Sequence, residues 1–314
     1  FFIYFVLLIE KINKEKLKLI LTILIFTLYG TRTILRNYDW NNEVKFYEKS
    51  LKYFPDSKKL INNYGVSLMM NGKYKEAIIE FKKLEKIVSN KKELSRATLG
   101  IGKSYFMLRD YDESMKYYEK TIELDPLNFD ALTGIALIYE KKGDIEKSLD
   151  YLIKAYKINP NSSSTLYLIG KIYFDKKQYL LAEKILIKLI EIEPNESIYW
   201  NKLGIIYYNK REFDKSLYCF ENAYKFNNKD FNITLNLAKN YQKINQHNHA
   251  IFYFDKTFQI NPETKENIYI LNDYAISLNE IGEKQKAIEI LKKILKKNPD
   301  FQPAKINLKV ITSK

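Results

Sequence analysis

The spacing of the prolines constrains this chain more than any other feature of its sequence. Pro126, Pro160 and Pro194 follow one another at intervals of 34 residues, and two further steps of 34 lead to Asn228 and Pro262. Proline ends a helix because it lacks an amide N–H and clashes with the preceding turn. A stop every 34 residues leaves room for two helices of about 12 to 15 residues, and such a fixed period is the signature of a repeat protein.

Seven full repeat units account for most of the chain after residue 57. They span residues 58–94, 95–128, 129–162, 163–196, 197–230, 231–267 and 268–301. Insertions of three residues at Lys92–Leu94 and Lys265–Asn267 interrupt the period, and we expect each to widen the loop between two units. Residues 36–57 form a junction with a half-repeat, and residues 302–314 a C-terminal capping helix.

The units resemble the tetratricopeptide repeat in their recurring residues. Unit 197–230 carries the pattern in Trp200, Leu203, Gly204, Tyr207, Ser216, Phe220 and Ala223, with Asn228 in place of proline. The resemblance covers residues 58–312. It implies an all-α fold, a right-handed superhelical solenoid of antiparallel helix pairs with a flanking half-unit at each end. Small residues at positions eight and twenty of a unit let its two helices approach, and large residues at positions four, eleven and twenty-four fill the space between them.

The glycines are used for packing and for turns. Four lie at the predicted close contact between helices, namely Gly65, Gly102, Gly170 and Gly204. Three lie at the turn between the two helices of a unit, where a positive φ is often needed, namely Gly72, Gly143 and Gly282. This usage leaves no glycine-rich segment for a phosphate-binding loop.

The net charge of +14 raises the question of nucleic-acid binding. The lysines are spread over every predicted helix and arginine is scarce, whereas nucleic-acid readers usually gather both on one face. We therefore expect no specific nucleic acid among the partners.

The single cysteine, Cys219, lies on an apolar helix face and is predicted to be a buried, unreactive thiol.

Three motifs suggest chemistry, and the repeat accounts for each. Asp110-Tyr-Asp112 falls on the turn between two helices, although Asp-x-Asp also holds metal–nucleotide sugars in many glycosyltransferases. His247 and His249 fall on another such turn, and two imidazoles are too few for a closed zinc site. Gly100-Ile-Gly102 follows no strand, which excludes the dinucleotide fingerprint. The residues present thus predict no enzyme, with no catalytic, cofactor-binding or metal-binding residue.

The resemblance places the first helices of successive units on the concave surface of the solenoid. Aromatic, asparagine and lysine side chains alternate there, which favours an extended peptide with some acidic character. The candidate peptide-binding residues are Asn62, Phe106, Tyr167, Lys171, Phe174, Asn201, Tyr208, Lys239, Tyr269 and Asn272.

The N-terminal region predicts a membrane segment. Residues 1–9 are continuously apolar, residues 10–18 form a basic loop, and an apolar helix over 17–35 is long enough to span a bilayer if Lys18 and Arg32 extend to the interface. A buried soluble helix is the alternative for 17–35. The positive charge of the loop predicts that segment 10–18 lies in the cytoplasm and that the repeats lie on the non-cytoplasmic side. Because the first residue is Phe1, we expect an upstream part of the protein.

Residues 29–47 carry a second resemblance, to polytopic transmembrane-and-tetratricopeptide proteins that are similar to protein O-mannosyltransferases. The residues that match are Arg32, Arg36, Asn37, Asp39, Trp40 and Glu43. In that family the acidic catalytic residues lie in loops between earlier membrane helices, so none can be assigned to this chain.

Two functions follow from these features. The first is a membrane-tethered scaffold that binds a protein or extended peptide on its concave surface and forms the recruiting part of a larger membrane protein. The alternative is a fragment of a membrane glycosyltransferase that uses a lipid-linked sugar and whose catalytic half is missing.

Overall fold

The computed structural model describes residues 15–40 and 43–313, which contain seventeen α-helices, one 3-10 helix and no strand. The apolar run 1–9 and most of the basic loop 10–18 lie outside the described residues. The helices divide between two compact units, Phe1–Ile158 and Asn159–Lys314.

The first unit contains eight described helices, and from α3 onward they form antiparallel pairs. The helices are α1 Glu15–Trp40, α2 Glu43–Tyr53, α3 Lys58–Met70, α4 Tyr74–Ile87, α5 Lys91–Met107, α6 Tyr111–Leu124, α7 Phe129–Lys142 and α8 Ile145–Ile158. Each first helix of a pair (A helix) packs against its second helix (B helix), and each of the B helices α4 and α6 packs against the next A helix. The half-repeat helix α2 covers α3 in the same way.

The second unit repeats this arrangement four times. Its helices are α9 Ser163–Asp175, α10 Tyr179–Ile192, α11 Ser197–Asn209, α12 Phe213–Phe226, α13 Phe231–Lys243, α14 His247–Ile260, a 3-10 helix Pro262–Glu266, α15 Ile268–Glu280, α16 Lys284–Lys297 and α17 Gln302–Thr312. Helix α17 packs on α15 and α16 and covers the last pair. The predicted all-α fold of helix pairs is confirmed in both units, while the right-handed course of a superhelix stays a prediction.

Small residues bring the two helices of a pair together, as expected. Ser114 of α6 donates a hydrogen bond to the carbonyl of Gly102 in α5 at 2.8 Å. Ser216 of α12 donates one to the carbonyl of Gly204 in α11, also at 2.8 Å. The second helix can approach the first so closely because both positions lack a large side chain, and each serine satisfies its buried hydroxyl at the contact.

The turn within each helix pair contains one residue in the left-handed conformation. Glycine occupies this place in three pairs, as predicted, with φ of 76° at Gly72, 82° at Gly143 and 89° at Gly282. The other four pairs place a side chain there, namely Arg109, Lys177, Arg211 and Asn245, with φ between 57° and 63°. The turn is therefore fixed by the backbone hydrogen bonds that close the A helix, and glycine is favourable but not required.

The insertion at Lys92–Leu94 does not widen a loop, and that prediction is wrong. These residues lie inside α5, which begins at Lys91 and runs for 17 residues, whereas the other A helices have 13 or 14. The Asn90 side chain accepts a hydrogen bond from the backbone N–H of Glu93 at 2.8 Å and caps the added turn. The insertion at Lys265–Asn267 does lengthen a connection, which contains the 3-10 helix and ends at Asn267, the N-cap of α15.

Helix α1 covers the segment for which a transmembrane helix over 17–35 is predicted. Among the described residues, no helix combines the length and the apolar character that crossing a membrane requires. The prediction of a transmembrane helix is therefore not supported.

We predict that adding a side chain at a left-handed turn residue lowers the stability of the protein and that removing one raises it. Gly143→Ala should lower stability by about 1 kcal/mol, because a Cβ is strained at positive φ although no heavy atom lies within 4 Å of it. Lys177→Gly should raise stability, by up to about 1 kcal/mol, because it removes the same strain. Urea denaturation followed by circular dichroism measures both. Shifts of the two midpoints in the same direction would contradict this account.

Candidate peptide-binding surface

The candidate surface is made by A helices that lie side by side. In the first unit α3 contacts α5 and α5 contacts α7, and in the second unit α11 contacts α13 and α15 contacts α17. Two of the ten predicted peptide-binding residues, Asn62 and Phe106, lie in the first unit. The other eight lie on α9, α11, α13 and α15, and we call the solvent-facing side of these four helices the second-unit surface.

Three predicted aromatic residues pack against the aromatic residue that begins the following helix. All three are half-buried, and each lies near the end of its A helix. The ring centroids are 5.6 Å apart for Phe106 and Tyr111, 6.2 Å for Phe174 and Tyr179, and 5.5 Å for Tyr208 and Phe213. Each pair is tilted or edge-to-face, which is a favourable geometry for aromatic rings. These rings are therefore held in place before any ligand binds.

Tyr167 and Tyr269 differ in how much of the ring a ligand could reach. Tyr167 is half-buried, with its ring centroid 5.9 Å from that of Tyr199. Tyr269 is 64% exposed and contacts Phe301 edge-to-face at 5.1 Å. Tyr269 thus offers the larger free aromatic face of the two.

The predicted asparagines are engaged with other amides. The Oδ1 atom of Asn201 accepts a hydrogen bond from Asn236 Nδ2 at 2.9 Å. Asn272 accepts one from Asn307 at the same distance, and only 6% of Asn272 is exposed. Asn201 keeps solvent-accessible surface on α11, but the structure buries Asn272 between α15 and α17, where its hydrogen bond stabilises the packing of α17.

Lys202 on α11 belongs to the surface, although the sequence pattern did not indicate it. Its Nζ atom lies 4.5 Å from the centroid of the Phe174 ring, a favourable distance for a cation–π contact. Burial lowers the pKa of Lys202; the carboxylate of Asp175 opposes this shift and the charge of Lys171 adds to it. No ion pair joins Lys202 to any carboxylate that the structure describes. Lys202 is thus a partly desolvated cation on the ligand-accessible side.

The far end of the second-unit surface contains one carboxylate among lysines. Burial raises the pKa of Asp273 on α15, while the charges of Lys239 and Lys243 on α13 lower it. Burial also raises the pKa of Tyr208, and the Asp273 charge adds to that effect. Lys202, Lys239 and Lys243 thus outnumber the two acids of this surface that act on them, Asp175 and the partly buried Asp273, so the polar character of the surface favours an anionic ligand.

The motifs that suggested chemistry have structural roles. Asp110 caps α6 by accepting a hydrogen bond from the Glu113 N–H, and Asp112 accepts one from Lys142 Nζ at 2.7 Å. The two histidines lie in the first turn of α14 rather than on the preceding turn as predicted, and His249 stacks on Tyr241 at 5.1 Å. The part of the chain described by the structure contains no cluster of His, Cys, Asp and Glu that could hold a metal ion.

Cys219 is buried, as predicted. Burial raises the pKa of its thiol to about 12. Because the thiolate is the reactive form, Cys219 packs as a small apolar side chain at neutral pH.

Family models of repeat proteins match three parts of the chain. Residues 107–189 match the model for subunit 3 of the anaphase-promoting complex, or cyclosome. Residues 233–264 and 273–300 each match a tetratricopeptide-repeat model. A search of curated proteins finds no match.

Several solved structures resemble this chain at low sequence identity. A structure of PilF from Pseudomonas aeruginosa is 17% identical, with a TM-score of 0.55, and the match covers 68% of this chain and 96% of that one. The Cut9 and Hcn1 hetero-tetramer of the APC/C is 19% identical, with a TM-score of 0.50 and coverage of 85% and 52%. MamA is 20% identical, with a TM-score of 0.48 and coverage of 53% and 97%.

We predict that Lys202→Met stabilises the protein. The methionine side chain is only one atom shorter than that of lysine and can pack on the Phe174 ring, but the variant removes a charge that burial disfavours. Because the pKa of Lys202 is lowered in the folded state, the destabilisation by its charge is full at neutral pH. It fades as the pH rises towards the ordinary lysine value of 10.5. The difference in melting temperature between the variant and the wild type should therefore be largest at neutral pH.

The matched control is Lys184→Met on the exposed side of α10, which should change stability by no more than about 0.5 kcal/mol. Differential scanning calorimetry at several pH values measures both variants. A Lys202→Met protein that melts below the wild type at neutral pH would contradict the burial of this charge.

Proposed function

The chain is a tetratricopeptide-repeat protein, and from that premise we propose that it is a non-enzymatic scaffold that binds a protein partner on its A helices. The match of residues 107–189 to a model of a subunit of a large complex supports this function. So does the surface itself, because half-buried aromatic rings and lysines are suited to extended peptides.

The proposed ligand is an extended peptide with acidic and apolar side chains, bound on the second-unit surface. Lys202 is the observation that carries this proposal. A partly desolvated cation costs free energy in the unbound protein, since the charge of Asp175 offsets the burial only in part and no ion pair joins Lys202 to a described carboxylate. An acidic side chain placed beside it would recover that free energy, while Tyr167, Phe174 and Tyr208 would contact apolar side chains of the peptide.

We predict that the purified chain selects acidic peptides from a random dodecapeptide library. Sequences that contain Asp or Glu together with apolar residues should be enriched, and their binding should weaken as the salt concentration rises. Lys202→Met should lower the affinity for a selected peptide about tenfold, which corresponds to the loss of one charge-assisted contact of about 1.4 kcal/mol.

Lys184→Met is again the matched control, since it removes the same charge from the outside of α10. Its affinity for the selected peptide, measured by fluorescence anisotropy, should equal that of the wild type. Enrichment without an acidic bias, or equal losses in both variants, would refute the proposed ligand.

Attachment to a membrane through α1 is a further part of the proposal. Six large apolar side chains of α1 are more than half exposed: Leu19, Ile20, Ile23, Leu24, Phe26 and Leu28. The basic residues of segment 10–18 support an orientation with the repeats on the non-cytoplasmic side.

We predict that the chain floats with phosphatidylcholine vesicles in a density gradient. The double variant Ile23→Lys and Phe26→Lys should remain in the soluble fraction, and equal flotation of both proteins would contradict attachment through α1.

The alternative is that the chain is part of a membrane glycosyltransferase. Its support is the sequence resemblance of residues 29–47, most of whose matching side chains lie outside the described part. The upstream reading frame distinguishes the two functions. Several hydrophobic segments with an acidic loop early in the frame would favour the enzyme, whose repeats would then present the acceptor polypeptide.

A further inference from the structure

The three-residue insertion in α5 adds a helical turn that no other A helix has. Because α5 begins at Lys91, its first turns extend beside the N-terminal half of α3. The added turn carries Glu93, whose Oε2 atom lies 3.4 Å from Lys58 Nζ at the start of α3. The insertion thus closes one side of the space between these two helices.

A cavity of about 360 Å³ lies in this space, and we call it the insertion cavity. Helix α3 contributes Lys58, Lys59, Asn62 and Asn63 to its lining, and the buried Leu84 of α4 also lines it. The lining from α5 consists of Glu93, which belongs to the insertion, and Arg96, one turn further on. All these residues belong to the first unit, so the cavity is separate from the second-unit surface.

The charges around the insertion cavity do not cancel. Three cations, Lys58, Lys59 and Arg96, face one carboxylate, Glu93, which gives a net charge of +2. Glu93 is paired with Lys58, whereas Lys59 and Arg96 form no ion pair with any carboxylate in the described residues. Two cations therefore remain available to a ligand in a volume that can enclose a small anionic group.

Neutral hydrogen-bond donors complete the lining. Asn62 Nδ2 donates to Asn63 Oδ1 at 3.3 Å, and the Asn63 side-chain amide keeps both of its N–H donors for a ligand. At the start of α3, the Ser57 side chain accepts no hydrogen bond from the first turn. The first backbone N–H groups of that helix therefore add partial positive charge beside Lys58 and Lys59.

From this lining we infer that the insertion cavity binds a phosphate monoester dianion. A net charge of +2 is matched by the two negative charges of such a group, whereas one carboxylate would neutralise only half of it. The planar guanidinium of Arg96 can bind two phosphate oxygens at once, and an ammonium and amide N–H groups can occupy the remaining ones. The group could be carried by a free metabolite or by a phosphorylated side chain of a peptide.

The test is isothermal titration of the full chain with three probes. They are inorganic phosphate, a tripeptide Gly-phosphoserine-Gly, and the carboxylate analogue Gly-Glu-Gly. Both phosphate probes should bind at least tenfold more tightly than the carboxylate. A tripeptide that binds more tightly than inorganic phosphate identifies a phosphorylated peptide as the source, and equal affinities identify free phosphate. Equal binding of Gly-Glu-Gly overturns the inference.

Variants assign any binding to the cavity. Arg96→Gln and Lys59→Gln, which alter exposed side chains, should each weaken phosphate binding about tenfold. Deletion of residues 92–94 restores the 34-residue spacing and removes the turn that closes the cavity. It should abolish binding even though it also removes the carboxylate of Glu93, while circular dichroism shows that the helices remain. Lys292→Gln, an exposed lysine on α16, should bind like the wild type. Equal losses in Lys292→Gln and Arg96→Gln would show binding to overall charge and overturn the proposed site, whatever the second-unit surface binds.

Discussion

The fit of an aromatic ring between two A helices is the contact on which the repeat architecture depends. Phe81 of α4 lies against Gly65 of its own pair and Gly100 of the next pair. A Cβ atom would lie 2.8 Å from the ring at Gly65 and 2.7 Å at Gly100, closer than real contacts allow. Tyr118 of α6 lies in the same way between Gly102 and Gly134. Each ring therefore joins two successive pairs, and its removal would leave a cavity on both sides.

The sixth position of each repeat explains how the same architecture carries a different surface in the second unit. In the first unit this position is Asn63, Gly100 and Gly134, and a preceding aromatic ring fills the space beside each of the two glycines. In the second unit the sixth position is Leu168, Lys202, Asn236 and Asp273, of which Lys202 and Asp273 are charged and partly buried. The position that serves packing at Gly100 and Gly134 thus holds a charge at Lys202 and Asp273, which adds charged side chains to α11 and α15.

Much of the fold could be predicted, because the period records where helices must end. Glycines at 72, 143 and 282 indicated the left-handed turns correctly. The period could not show that Lys177 or Arg211 adopts the same conformation, since the hydrogen bonds closing the helix impose it on whatever residue is there. Nor could the period show that Lys92–Leu94 lengthens the start of α5. That depends on the Asn90 cap, whose effect on the following turn is local and independent of the repeat.

The candidate site was less predictable, because the exposure of a side chain on an A helix depends on its own helix pair and also on the helix that follows that pair. The half-exposed location of Phe106, Phe174 and Tyr208 could be predicted from their position within a unit, and the structure shows all three near the surface. Asn272 occupies an equivalent position to Asn201, yet the capping helix α17 buries it through Asn307. The accessibility of a repeat position is therefore decided by the next helix in the stack. A ligand-binding surface can only be assigned once the neighbour of each repeat is known.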